Sequence, residues 1–167
     1  GLDANAVAQG VVDALNGEEF AVNVEDVRAA FSVINERMQA AQAEKAKVAS
    51  AEGQKFLEEN AKRDGVTITE SGLQYEVLVA GEGDKPTASS TVKTHYHGTL
   101  IDGTVFDSSY DRGQPAEFPV GGVIKGWTEA LQLMAVGSKW RLSIPYELAY
   151  GEQGAGGAIG PYQTLVF

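Results

Sequence analysis

Apolar residues recur at Val27, Phe31, Ile34, Met38 and Ala41, a 4-3-4-3 spacing that predicts one face of an α-helix. Asn23 stands where an N-cap belongs, and Glu25 and Asp26 in the first turn suit the helix dipole. After Ala41 the stripe fails. Lys45 and Glu52 take the next seam positions on either side of Val48, and Ala, Glu, Lys and Gln dominate as far as Lys62. Asp64-Gly65 reads as the stop. The pattern predicts one helix of roughly 40 residues, about 60 Å long at 1.5 Å per residue. Its first half should pack against something, and its second half should be a solvated spacer. A helix folded back on its own domain would be expected to show a continuous apolar face instead. Upstream, Asp3 is placed to cap a shorter helix bearing Val7, Val11, Ala14 and Leu15, with Asn16-Gly17 as its end.

Past residue 66 the period changes from helical to alternating. Leu73, Tyr75 and Val77 alternate with polar neighbours, and Val92, Thr94 and Tyr96 share one face of a strand opposite Lys93, His95 and His97. Asp102-Gly103 between Leu100-Ile101 and Val105-Phe106 predicts a tight hairpin that sets Val105 and Asp107 on the same face. Trp127, Ala130, Leu131 and Met134 follow helical spacing, and Val136-Gly137 ends that run. Trp140, Leu142 and Ile144 then alternate toward a core. The expected class is α+β: an antiparallel sheet with one short helix across its face, preceded by a helical module and a long spacer helix. The expected domains are residues 1–66 and 67–167.

Composition sharpens this division. Every Pro, Tyr and Trp lies after residue 66, with most of the 20 glycines, so only the first part can be continuously helical. The net charge of -10 repels a phosphate backbone, which argues against a nucleic-acid partner. There are no cysteines, which removes disulfides and thiolate metal sites. No apolar run reaches the length of a membrane span. The chain begins at Gly1 rather than Met, so any targeting segment upstream would be invisible.

Three separated stretches carry the candidate chemistry: Val105-Phe106-Asp107-Ser108-Ser109, Val123-Ile124-Lys125-Gly126-Trp127 and Leu148-Ala149-Tyr150-Gly151. Each sets an aromatic beside an aliphatic or a lone acid, which suits an apolar pocket with one or two polar groups and a reaction needing no nucleophile. Ser108 and Ser109 have no His partner in a motif, so a serine hydrolase is unsupported. His95 and His97 lack an evident third ligand and read as a surface pair without metal. Gly154-Ala155-Gly156-Gly157 lacks the dinucleotide register and precedes a strand-like run, so it reads as a flexible rim loop. Asp107, five residues before Arg112, reads on its own as a turn acid paired with a surface base, and Trp127 as a core tryptophan.

The joint arrangement changes those readings. His95-Tyr96-x-Gly98, Asp102-Gly103-Thr104-x-Phe106-Asp107-Ser108-Ser109, Arg112-Gly113-x-Pro115, Val123-Ile124-x-Gly126-Trp127, Leu133-Met134-x-Val136-Gly137, Ala149-Tyr150-Gly151 and Thr164-Leu165-Val166-Phe167 stand in order. From Thr94 to Phe167 the chain resembles the FKBP-type peptidyl-prolyl cis-trans isomerases, the tacrolimus-binding immunophilins. With its long N-terminal helix it is similar to bacterial members of the macrophage infectivity potentiator type. The resemblance implies a pocket floored by Trp127, walled by Tyr96, Phe106, Val123, Ile124, Tyr150, Ile159 and Phe167, with Asp107 at the edge. Phe106, Asp107, Trp127 and Tyr150 are the expected catalytic residues, and Arg112 joins the walls in binding substrate. It implies no cofactor or metal, proline-containing unfolded polypeptides as partners, tacrolimus-like inhibitors, and a homodimer formed through the helical module.

The sequence also departs from that family. Ala116 stands where the best-known small members carry a pocket Phe, so that wall is expected to be more open. Val120-Gly121-Gly122-Val123 is shorter, Gly160-Pro161 replaces a double proline, and the sequence ends at Phe167, where the family's last strand is expected to continue. The expected compartment is the cytoplasm, with the periplasm as the alternative. A chaperone or interaction module with a vestigial pocket is the rival function.

Overall fold

The computed structural model describes residues 24–167, with side chains from residue 28 onward. The expected short helix near Asp3 and the cap at Asn23 lie outside the described residues. By its contacts the chain divides into two compact units, Gly1–Ala43 and Glu44–Phe167.

Helix α1, Val24–Asn60, is a single run of 37 residues. Among its described residues the apolar stripe is open to solvent: Phe31 is 61% exposed, Ile34 48% and Met38 64%. The second half is not the solvated spacer that its charge suggests. Ala49, Gly53 and Asn60 are buried, with Ala46, Phe56 and Leu57 half-buried, at helical spacing. This face is one position out of register with the extrapolated seam of Lys45, Val48 and Glu52, so it turns by about 100° around the helix. It escapes a hydrophobicity pattern because its fully buried positions are two small residues and an amide.

Gly53 shows why small residues are needed. A Cβ there would fall 2.5 Å from Thr164 Oγ1. Asn60 then anchors the helix end from within the core. Its Nδ2 donates to Gln74 Oε1 at 2.8 Å and Ser143 Oγ at 3.3 Å, and its Oδ1 accepts from Arg63 at 2.9 Å. Gln74 Nε2 in turn donates to the Leu57 carbonyl at 3.0 Å. Buried amides are tolerated when both ends find partners, as they do here.

Six strands form an antiparallel sheet in the order β1-β2-β7-β8-β4-β5. Their ranges are β1 Val66–Ile68, β2 Gln74–Val79, β4 His97–Leu100, β5 Val105–Ser108, β7 Lys139–Ile144 and β8 Leu165–Val166. Strands β3, Thr91–Thr94, and β6, Ala116–Pro119, pair separately. The expected single strand from Val92 to His97 is therefore broken: at His95 and Tyr96 the chain crosses from one sheet to the other. Helix α2, Lys125–Leu133, buries Trp127, Ala130 and Leu131, as their spacing predicts, and Gly126 with them, while Met134 follows as the C-cap and is partly buried. Leu73, Val120, Leu142 and Ile144 complete the core around it.

The predicted turn at Asp102-Gly103 joins β4 to β5. Asp102 Oδ1 accepts from Thr104 N at 2.8 Å, and Gly103 takes a φ of 86°, which a residue without Cβ adopts freely. Above the turn the register slips: Gly98 faces Asp107 but Thr99 faces Val105. Phe106 is the extra residue of a β-bulge, and bulges re-aim side chains. Simple alternation predicted Val105 beside Asp107. The bulge leaves Val105 exposed and turns Phe106 and Asp107, which are consecutive, toward one pocket.

Replacing Asn60 by Leu would leave Gln74 and Ser143 short of a partner. The expected cost is about 1–3 kcal/mol, measured by urea denaturation. A loss below about 0.5 kcal/mol, the usual surface value, would show that this amide does not anchor the helix.

Candidate functional site

A cavity of about 440 Å³ is lined by Tyr96, Phe106, Asp107, Phe118, Gly122, Val123, Ile124, Trp127, Tyr150 and Phe167. That volume falls within the range of roughly 300–1,000 Å³ typical of small-ligand sites. The floor is Trp127, only 7% exposed on the first turn of α2. Tyr96, Phe118 and Phe167 each meet its indole edge-on, at centroid separations of 5.4, 5.7 and 5.1 Å. Phe106 meets Phe167 the same way at 5.5 Å. Edge-to-face contacts fix ring orientation as well as burying area, so the cup is stiff.

Gly98 makes this crowding possible. A Cβ on it would lie 2.6 Å from Phe106 Cζ and 2.9 Å from Phe167 Cε1. Any larger residue would force the two rings off the wall.

Nine of the ten sequence-predicted site residues gather here. Arg112 belongs to the rim rather than the lining, through its bonds to Asp107 and Tyr96. Ile159 is placed elsewhere: it is buried in the segment after Tyr150, where its N–H donates to the Gly156 carbonyl at 3.2 Å. Phe118 is the wall residue that the sequence reading missed. The wall expected to open at Ala116 is supplied instead by Phe118, two positions along β6 and so on the same face of that strand. Alternation within Ala116-Glu117-Phe118 was the available signal.

The polar rim is a closed triangle. The Tyr96 hydroxyl donates to Asp107 Oδ2, Arg112 Nη1 donates to Asp107 Oδ1, and Arg112 Nη2 donates to the Tyr96 hydroxyl at 2.6 Å. The guanidinium also sits 5.3 Å from the centre of the Tyr96 ring, within cation–π range. Burial pushes Tyr96 above its ordinary pKa, and the Asp107 carboxylate adds to the rise. For Asp107, burial alone pulls upward. Hydrogen bonds from Tyr96 and Arg112 and the Arg112 charge outweigh it and hold the carboxyl below its ordinary value. Asp107 and Arg112 are both about two-fifths exposed, so solvent screens the pair and its main effect is to orient Tyr96.

Among the described residues no three acids and histidines come together. His95 bonds Ser109 and stacks on Tyr110.

A second and larger cavity, about 930 Å³, follows the edge of β7 where β8 ends, lined in part by Leu78, His97, Leu131 and Trp140. It does not gather Asp107 with the aromatic walls, so the smaller cup is the candidate site.

A tryptophan-floored apolar cup under a curled antiparallel sheet, with a carboxylate at its lip, defines an immunophilin-type domain. Residues 82–167 match the FKBP-type peptidyl-prolyl cis-trans isomerase family, and residues 1–77 match the domain amino terminal to FKBP-type peptidyl-prolyl isomerase. The chain belongs to this family. It is 57% identical over 167 residues to the FKBP-type 22 kDa peptidyl-prolyl cis-trans isomerase of Escherichia coli strain K12, covering 100% of this chain and 81% of that protein. It is 43% identical over 173 residues to the outer membrane protein MIP of Legionella longbeachae, covering 100% and 74%. The crystal structure of FkpA from Escherichia coli aligns with a TM-score of 0.79 at 40% identity, over 99% of this chain and 78% of that one.

The rim has a pH signature. Because the folded Asp107 carboxyl titrates below its ordinary value of 3.8, its stabilisation is complete above that pH and is lost as pH falls through the folded value. The stability difference between the protein and Asp107→Asn should be flat above about pH 5 and shrink below about pH 4. A constant difference across that span in denaturant titrations would mean that the charge of the carboxylate is not what holds the triangle.

Proposed function

We propose that this cup isomerises X-Pro bonds in unfolded or partly folded polypeptides without a covalent step. The observation that carries the reading is the Trp127 floor, ringed by aromatic walls and bearing one polar triangle. Rotation about a peptide bond is slow because amide resonance must be lost, at about 18–20 kcal/mol for a general peptide. Water stabilises the planar, charge-separated amide better than the twisted one. An apolar enclosure removes that ground-state advantage, and fixed walls add contacts that only the twisted form can make.

The proline ring is assigned to the Trp127 floor between Tyr96, Phe106, Val123, Ile124, Phe118 and Phe167. Tyr150 lines the cup and is 41% exposed, and its hydroxyl is the candidate donor to a substrate carbonyl. Asp107 works by holding Tyr96 and by its negative charge near the displaced carbonyl. The same stiff apolar cup would admit tacrolimus-like inhibitors in competition with peptide.

In a proline-limited refolding assay the protein should accelerate the slow phase. Trp127→Ala and Asp107→Ala should each lose at least about tenfold of that gain, equivalent to ~1.4 kcal/mol of transition-state stabilisation. No acceleration by the unaltered protein would sink the reading. Equal acceleration by all three would point to an interaction module with a vestigial pocket.

The exposed stripe of Phe31, Ile34 and Met38 supports a second proposal: a second copy of this chain covers it, making a homodimer. Three large apolar side chains at helical spacing are costly to leave in water, and two sites in one particle would raise the effective concentration for a second contact on one client. Light scattering should report a dimer, with Phe31→Glu combined with Met38→Glu shifting it to monomer while leaving activity on short peptides intact. A unaltered chain that scatters as a monomer at tens of micromolar would refute this.

A further inference from the structure

We propose that Ser109, oriented by His95, is a positioning residue that sets Tyr96 in the pocket wall. Tyr96 lies at the crossover between β3 and β4, so its own peptide groups fall outside both named strands. Ser109 supplies the missing partners. Tyr96 N donates to Ser109 Oγ at 2.8 Å, Ser109 N donates to the Tyr96 carbonyl at 3.0 Å, and Ser109 Oγ reaches that carbonyl at 3.2 Å. Ser109 is fully buried. It follows Asp107 by two residues, so one short segment grips Tyr96 at both ends: the hydroxyl through Asp107, the backbone through Ser109.

His95 Nδ1 lies 3.0 Å from Ser109 Oγ, and its ring is stacked on Tyr110 at 4.6 Å and 15°. A serine beside a histidine invites a nucleophile reading, which burial rules out. No substrate atom can reach a hydroxyl with no exposed surface, and one of its lone pairs already accepts the Tyr96 N–H. What remains is proton arithmetic. The Ser109 hydroxyl has one hydrogen to give, either to His95 Nδ1 or to the Tyr96 carbonyl. With Nδ1 as acceptor the hydrogen points to His95; with Nδ1–H as donor, it points to Tyr96. Either way the hydroxyl is pinned, and the peptide of Tyr96 with it. A pinned peptide keeps the ring against Trp127 and the hydroxyl within reach of Asp107 and Arg112, and an unpinned one lets both drift.

This rests on the pocket reading given above, and the test separates the two. His95→Phe keeps a ring to stack on Tyr110 but deletes Nδ1, and His95→Asn returns a hydrogen-bonding group at similar reach. Ser109→Ala removes the hydroxyl bonds of the clamp and keeps the backbone bond from Ser109 N to the Tyr96 carbonyl. Each is assayed for kcat and KM on a prolyl peptide, for thermal stability, and for Tyr96 ionisation by ultraviolet titration against Tyr96→Phe.

Loss of one hydrogen bond corresponds to roughly a 3- to 10-fold fall in kcat/KM. That fall is expected in Ser109→Ala and His95→Phe, with Tyr96 ionising closer to an ordinary tyrosine, and His95→Asn should recover most of both. Activity and Tyr96 ionisation unmoved in His95→Phe would overturn the proposal, as would His95→Asn faring no better than His95→Phe at equal stability. Failure of the pocket reading looks different: Trp127→Ala would keep full activity whatever Tyr96 does.

Discussion

The seating of helix α2 on the sheet governs the rest of the domain, and it depends on Gly126. A Cβ at that position would fall 2.5 Å from Ile144 Cγ2, so the helix lies on β7 more closely than any side chain would allow. That approach lowers the neighbouring Trp127 until its indole becomes the bottom of a cup. Ala130, fully buried one turn on, continues the close contact. Each wall residue is then placed by reference to the indole: Tyr96, Phe118 and Phe167 all meet it edge-on. A bulkier residue at 126 would lift the floor and leave the walls without their common contact.

Two irregularities in the strands make a binding site out of what would otherwise be a plain core. The chain leaves one sheet and joins another at His95-Tyr96, which swings the Tyr96 ring over the floor. The bulge at Phe106 turns two consecutive side chains to the same cavity, one apolar and one charged. Regular alternation permits one side chain per pair of residues on a given face, so an aromatic wall and a carboxylate lip could not be neighbours in an unbroken strand. Irregular backbone also needs substitute partners. Ser109 provides them for Tyr96, and the two devices therefore support one another through the segment 107–109.

Helix α1 carries the opposite lesson about pattern. Its conspicuous apolar residues Phe31, Ile34 and Met38 are exposed, whereas its polar half holds buried contacts. The fading of hydrophobicity after Ala41 is compatible with two kinds of face. A solvated spacer loses its apolar face, but so does a face built for close approach, which uses Ala49 and Gly53 where backbones nearly touch. The buried Asn60 reads from the sequence as one more polar residue. Only its neighbours Gln74 and Ser143, brought up from the sheet, show that its amide is satisfied away from water.

By itself the sequence determined the element types, the tight turn at Asp102-Gly103, the helical run through Trp127 and Leu131, and most of the cup. Those properties are local: period, turn chemistry and the concentration of aromatics in a few short stretches are set by neighbours along the chain. The tertiary structure decided the rest. It exchanged Ala116 for Phe118 as a wall, moved Ile159 away from the lining, paired His95 with Ser109, and buried the small-residue face of α1. Each of these follows from how closely two distant backbones approach and in what register, and those distances are set only when the sheet closes over α2.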